Sequence, residues 1–91
     1  MQVAIITGAG SGIGLATARH MADMGMAIVG TGRDAERLRL VEEVVPADRL
    51  LAIPSDVTDD EAPDLIVRST LDRFGRIDFL INNAGDGRPK P

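Results

Sequence analysis

Apolar and polar positions along the chain alternate between short apolar runs and stretches of helical period. Gln2 to Thr7 is apolar and β-branched nearly throughout and meets Gly8, the pattern of a strand buried on both faces. From Gly12 to Met24 the spacing becomes helical, with Ile13, Ala16, Thr17 and Met21 on one face and Gly25 placed to end the helix. Met26 to Gly30 reads as a second buried strand. Asp34 can cap a helix running to about Val45, which turns Leu38, Val41 and Val45 inward and Glu36, Arg37, Arg39, Glu42 and Glu43 outward. Pro46 stops it.

Arg49 to Pro54 is a third strand. Thr58 and Glu61 have the Thr-x-x-Glu spacing of a capping box, and Pro63 suits a first turn. That helix runs to Phe74 and ends at Gly75. Ile77 to Ile81 forms the fourth strand, followed by Asn82, Asn83, Ala84 and Gly85, and residues 86–91 read as a loop or tail. The order β-α-β-α-β-α-β predicts an α/β fold: a parallel sheet with right-handed crossovers and helices on both faces. Ligands of such sheets bind at the carboxyl ends of the strands.

Composition narrows the class. Ninety-one residues suffice for one small domain, and 44 % hydrophobic with 26 % charged residues is ordinary for a soluble chain. A net charge of −4 argues against nucleic-acid or anionic-membrane partners, both of which need clustered Lys and Arg. No apolar run reaches the ~20 residues of a membrane span. Met1 leads directly into a strand with no basic leader, and the chain has no Cys, so a cytoplasmic location is expected.

The candidate chemistry begins at the first strand's end. Thr7-Gly8-Ala9-Gly10-Ser11-Gly12-Ile13-Gly14 lies between a strand and a helix, where glycines permit a tight turn and present N–H groups to a phosphate. Gly8, Gly12 and Gly14 are spaced G-x-x-x-G-x-G. Reading G-x-G-x-x-G from Gly8 instead puts Ile13 where the third glycine belongs, and no Lys follows as in a P-loop.

Thr7-Gly8-x-x-x-Gly12-x-Gly14, Asp56-Val57 after the third strand and Asn82-Asn83-Ala84-Gly85 after the fourth together resemble the short-chain dehydrogenase/reductase family, from Val3 to Gly85. The resemblance implies a Rossmann-type sheet of strand order 3-2-1-4, truncated, with residues 1–85 as the N-terminal half of an NAD(P)-binding domain. It implies an oxidoreductase that interconverts carbonyls and alcohols, and a full-length relative that is a homo-oligomer. Gly8, Ser11, Gly12, Ile13 and Gly14 then hold the pyrophosphate. The Asp56 side chain and Val57 backbone meet the adenine, and the main chain of Asn82, Ala84 and Gly85 lines the adenosine ribose. Asn83 has a structural role, tying neighbouring strands.

Charge at the second strand's end bears on the cofactor. A carboxylate there holds the ribose 2′-OH of NAD, and an Arg accommodates a 2′-phosphate. The position of the acid in NAD-preferring relatives resembles Gly32, and Arg33 follows, so NADP is preferred and NAD stays possible. The plainer alternative is a solvated Arg33 with Asp34 both capping its helix and taking the ribose. Ser11 occupies the position that often carries a second basic residue in NADP users, so the preference rests on one Arg.

In the family a Tyr acts as general acid/base with an adjacent Lys, and a Ser binds the substrate oxygen. This chain has no Tyr, and its one Lys, Lys90, stands in the tail, so no catalytic residue is assigned. His20 is expected roughly on the sheet-facing side of the first helix in a packing or surface role. Met21, Met24 and Met26 are expected as core filler. Asp59, Asp60, Glu61 and Asp64 complement the third helix's dipole and need no metal. Two other readings stand beside the reductase: a standalone nucleotide-binding module without chemistry, and a methyltransferase-type fold, against which the glycine spacing and the Asn82–Gly85 turn speak. An unpaired fourth strand and an uncovered apolar face predict marginal stability or association.

Overall fold

The structure is a computed structural model that describes residues 1–56 and 60–83. Strands β1 (Val3–Thr7), β2 (Ala27–Gly32), β3 (Leu50–Pro54) and β4 (Phe79–Ile81) form one parallel sheet in the order β3-β2-β1-β4, as the resemblance implied. Alternate residues of β1 enter two cores. Ala4 and Ile6 pack with Ala18, Ala22, Ile28, Leu38 and Val41 under helices α1 (Gly12–Asp23) and α2 (Ala35–Leu38). Val3 and Ile5 pack with Val29, Ile53 and Ile66 under helix α3 (Ala62–Phe74). Both faces being covered, all five residues of β1 are buried, which is why the run shows no polar alternation.

The sheet-facing stripe of α1 differs from the expected one. Gly14, Ala18 and Ala22 face the sheet, whereas Ile13 is 75 % exposed, Ala16 and His20 are exposed, and Thr17 and Met21 are half-buried. The buried line of α1 is made of small residues, and at Gly14 an added Cβ would run into the Gly8 carbonyl, so close packing selects a face that apolarity alone does not. Of the methionines, Met26 is core, Met21 packs against it and Met24 is exposed. Gly25, at φ +89°, ends the helix in the left-handed conformation.

Asp34 caps α2 as expected, its Oδ1 accepting from the N–H groups of Glu36 (3.0 Å) and Arg37 (3.3 Å). The helix does not continue to Val45. After Leu38 it tightens into a 3-10 segment, Arg39–Glu43, in a stretch whose β-branched Val41, Val44 and Val45 lower helix propensity. Leu38, Val41 and Val45 are nonetheless buried as predicted. β2 runs two residues further than expected, because Thr31 and Gly32 pair with Ile53 and Pro54.

The expected cap Thr58 lies outside the described residues, as do Val57 and Asp59. The described helix α3 starts at Ala62 with Glu61 at its N-cap position and Pro63 in its first turn, later than a capping box from Thr58 places it. Gly75 (φ +78°) ends it. Among the described residues no helix is long and apolar enough to cross a membrane.

β4 begins at Phe79, two residues later than the apolar run, because Asp78 is used as a clip. Its Oδ2 accepts from the Val3 N–H (2.8 Å), and its own N–H donates to the Val3 carbonyl (2.9 Å). Arg76 grips the same carboxylate at 2.7 and 2.8 Å. The Arg76 guanidinium first, and the Val3 N–H second, hold the Asp78 carboxyl below its ordinary value. A carboxyl lowered in this way stabilises the fold at pH values above its unfolded value of about 3.9, and the contribution is lost as the pH falls below that. Asp78→Asn is therefore expected to flatten the acid limb of stability against pH. Urea melts between pH 2 and 7 check this, and coincident acid limbs for variant and wild type would contradict it.

Candidate active-site cleft at the strand ends

The Gly-rich loop leaves the carboxyl end of β1 and leads directly into α1, and Gly8, Gly12 and Gly14 have different surroundings. Gly8 adopts φ +65°, a turn open to few other residues. At Gly14 an added Cβ would sit against the Gly8 carbonyl oxygen and 2.8 Å from Asn83 Nδ2, so packing of the helix on its own loop excludes a side chain. Gly12 differs from both. Among the described residues, its chain neighbours and own helix backbone aside, a Cβ there would meet no atom within 4 Å.

Polar groups just past β4 fasten this loop. Asn83 Nδ2 donates to the Gly8 carbonyl (3.3 Å) and to Ser11 Oγ (3.2 Å), and its backbone N–H donates to Thr7 Oγ1 (2.9 Å). Thr7 Oγ1 donates to Asn82 Oδ1 (3.1 Å). Ser11 Oγ donates to the Gly8 carbonyl at 2.7 Å and makes no side-chain cap to α1. With the Ser11 hydroxyl turned back to the loop, the first N–H groups of α1 point outward at the positive end of the helix dipole. Loop, cap and β4 end thus form an open, donor-rich edge suited to a phosphate ester.

Those of the remaining expected site residues that are described follow the carboxyl ends of strands of the same sheet. Arg33 is exposed in the turn between β2 and α2, and Asp56 is exposed just after β3. Asn82 and Asn83 follow β4. Val57, Ala84 and Gly85 lie outside the described residues. No group of three or more His, Cys, Asp or Glu residues able to hold a metal occurs among the described residues. Sequence reasoning missed the packing inside the loop: Ala9 is fully buried and its N–H donates to the Thr31 carbonyl at 3.0 Å. The one signal available was the small residue at position 9, which alone says little. It also missed the Thr31 hydroxyl, buried at the end of β2 with no hydrogen-bond partner among the described residues.

Residues 2–91 match the short chain dehydrogenase family. The (2S)-[(R)-hydroxy(phenyl)methyl]succinyl-CoA dehydrogenase subunit BbsD of Thauera aromatica is 43 % identical over 86 residues, which is 92 % of this chain and 35 % of that protein. Among solved structures, the L-sorbose reductase of Gluconobacter frateurii complexed with NADPH and L-sorbose superposes with a TM-score of 0.84 at 40 % identity, covering 99 % of this chain and 35 % of that one. The 3-ketoacyl-(acyl-carrier-protein) reductase of Brucella melitensis complexed with NADH gives 0.85 at 39 %, covering 92 % and 34 %. The chain spans about a third of the length of the curated relatives it matches. Likeness at this level covers the glycine loop, the 3-2-1-4 sheet and the Asn82–Asn83 fastening together, and so the chain belongs to the short chain dehydrogenase family.

Proposed function

We propose that residues 1–85 form the cofactor-binding half of a cytoplasmic short-chain oxidoreductase and hold the pyrophosphate and adenosine of a nicotinamide dinucleotide, NADP in preference to NAD. The observation that carries this reading is Gly12. Gly8 and Gly14 answer to the chain's own geometry, whereas among the described residues nothing packs within 4 Å of a Cβ placed at Gly12, which leaves room there for a bound group. That cradle lies at the open N-terminus of α1, where a diphosphate fits the donor set.

The loop residues Gly8, Ser11, Gly12, Ile13 and Gly14 would hold the pyrophosphate. Asp56 and Val57 would receive the adenine, and Asn82, Ala84 and Gly85 the ribose. Arg33 would fork the 2′-phosphate, and Asp34 is the poorer ribose ligand because its Oδ1 is already engaged in capping α2. Relatives bound to NADH and to NADPH both occur, so Arg33 rather than kinship supports the preference. When bound, the nicotinamide supplies hydride exchange between a carbonyl and an alcohol carbon. With no Tyr, these 91 residues bind and orient the cofactor and supply no acid or base of the family's kind for that exchange.

Titration of the purified chain with NADP⁺ and NAD⁺ tests the reading. The wild type is expected to bind both, NADP⁺ more tightly. Gly12→Ala should weaken both by about tenfold or more while leaving the melting temperature unchanged or higher, since Ala outranks Gly in a helix by roughly 1 kcal/mol. Arg33→Ala should remove the advantage of NADP⁺, about tenfold, and spare NAD⁺. Absence of wild-type binding to either dinucleotide sinks the assignment. Equal affinities unmoved at position 33 sink the NADP preference.

A further inference from the structure

One close backbone contact in the loop answers to no cofactor role. Gly10 abuts α2: a Cβ at this position would come within 2.6 Å of the Arg37 carbonyl carbon and oxygen and 2.9 Å of the Leu38 nitrogen. Loop backbone meets helix backbone there, and no flexible side chain can swing aside. The preceding residue is held as firmly. The Ala9 N–H is bonded to the Thr31 carbonyl, and the Ala9 methyl lies 3.0 Å from where a Cβ on Gly30 would stand.

Ala9 and Gly10 are therefore wedged between the end of β2 and the first turn of α2. Those two elements are joined by the turn that carries Arg33. α2 is itself fixed, through the Asp34 cap at one end and the buried Leu38 at the other. Arg33 is exposed and makes no hydrogen bond or ion pair among the described residues. Only the backbone on either side sets its position.

We propose that Gly10 is a positioning residue for cofactor selectivity: by letting α2 seat directly on the Gly-rich loop, it fixes the span from the pyrophosphate cradle to Arg33. The inference rests on the reading of Arg33 as the 2′-phosphate ligand. NADP must satisfy the loop and Arg33 at once, so a shift of α2 by a few tenths of an ångström strains its binding. NAD has no 2′-phosphate and is insensitive to that span. A Cβ at position 10 would impose such a shift, because the backbone it meets must give way.

The test is a double-mutant cycle on the 91-residue chain, with dissociation constants for NADP⁺ and NAD⁺ measured for wild type, Gly10→Ala, Arg33→Ala and the double variant. Gly10→Ala is expected to lower the NADP⁺/NAD⁺ preference about three- to tenfold, with NAD⁺ affinity kept within about twofold, and to lower it no further once Arg33 is Ala. Partial unfolding weakens both dinucleotides alike and leaves the ratio unmoved. An equal loss for both cofactors, or a ratio shift that persists without Arg33, overturns the proposal. An unmoved ratio in Arg33→Ala removes the premise and the inference with it, and is told apart from the other failures by that variant alone. Should Gly10→Ala not fold, Ala9→Gly decides in the same cycle: it deletes the methyl against Gly30, frees the same segment and should shift the ratio in the same direction. No shift there overturns the proposal.

Discussion

Gly14→Ala is expected to lower stability by about 3 kcal/mol or more, or to prevent folding, although Ala is the better helix former at an ordinary helical position. The gain in propensity is at most ~1 kcal/mol. Against it stands a methyl placed on the Gly8 carbonyl oxygen and 2.8 Å from Asn83 Nδ2. Neither atom can move freely. Gly8 is held in a left-handed turn and receives hydrogen bonds from Ser11 and Asn83, so relief requires α1 to lift off β1 or the fastening to break. Either exposes the Ala4–Ile6–Ala18–Ala22 core. Since whole domains are stable by roughly 5–15 kcal/mol, a loss of this size is severe in so short a chain. Denaturant melts of Gly14→Ala beside Gly12→Ala make the comparison sharp, because the two changes are chemically identical and two residues apart. Equal stabilities would refute the packing argument.

The 91-residue chain is expected to self-associate at micromolar concentration through α3 and β4, and Leu80→Lys to raise the concentration required by about tenfold or more. α3 carries two adjacent apolar stripes. Ala62, Ile66 and Thr70 are buried on the sheet, and Pro63, Val67 and Leu71, one position on, are exposed. Pro63 and Val67, with Ile77 and Leu80, border a largely apolar groove of about 270 Å³ that also reaches Ile5, Thr7 and Asn82. Leu80 is 65 % exposed on a strand whose one ladder partner among the described residues is β1. An edge strand beside an apolar groove is a template for pairing. Burial of one Leu is worth ~1.5–3 kcal/mol, which sets the expected factor at tenfold or above. Sedimentation of both forms across a concentration series checks it. A wild type that stays monomeric and melts cooperatively at all concentrations contradicts it.

The strands were legible because the apolar runs are short and set off by turn-forming residues, while their order came only from the resemblance carried by the Gly8–Gly14, Asp56–Val57 and Asn82–Gly85 motifs. Asp34 as a cap and Leu38, Val41 and Val45 as core were legible for the same local reason: cap chemistry and helical spacing act over a few residues. The face of α1 was not. Periodicity weighs residues by apolarity and so chose Ile13, yet the residues of α1 that are buried are Gly14, Ala18 and Ala22. How closely two elements approach is a property of the pair, invisible in either alone. Gly10 hides in the same way, since its neighbour across the contact is 27 residues away at Arg37. His20, expected roughly on the sheet-facing side in a packing or surface role, stands exposed.

The fastening of the loop by Asn83 also orders events in time. A chain emerging from the ribosome N-terminus first can pair β1 with β2 and β3 as soon as they appear, but the clip between Val3 and Asp78 joins residues 75 apart in sequence. The first segment of the cleft to be synthesised is thus the last to be secured. A ligand that binds only the secured loop draws the population toward the completed fold by mass action. If the proposed dinucleotide is that ligand, its cellular concentration would help decide how many newly made chains outlast proteolysis.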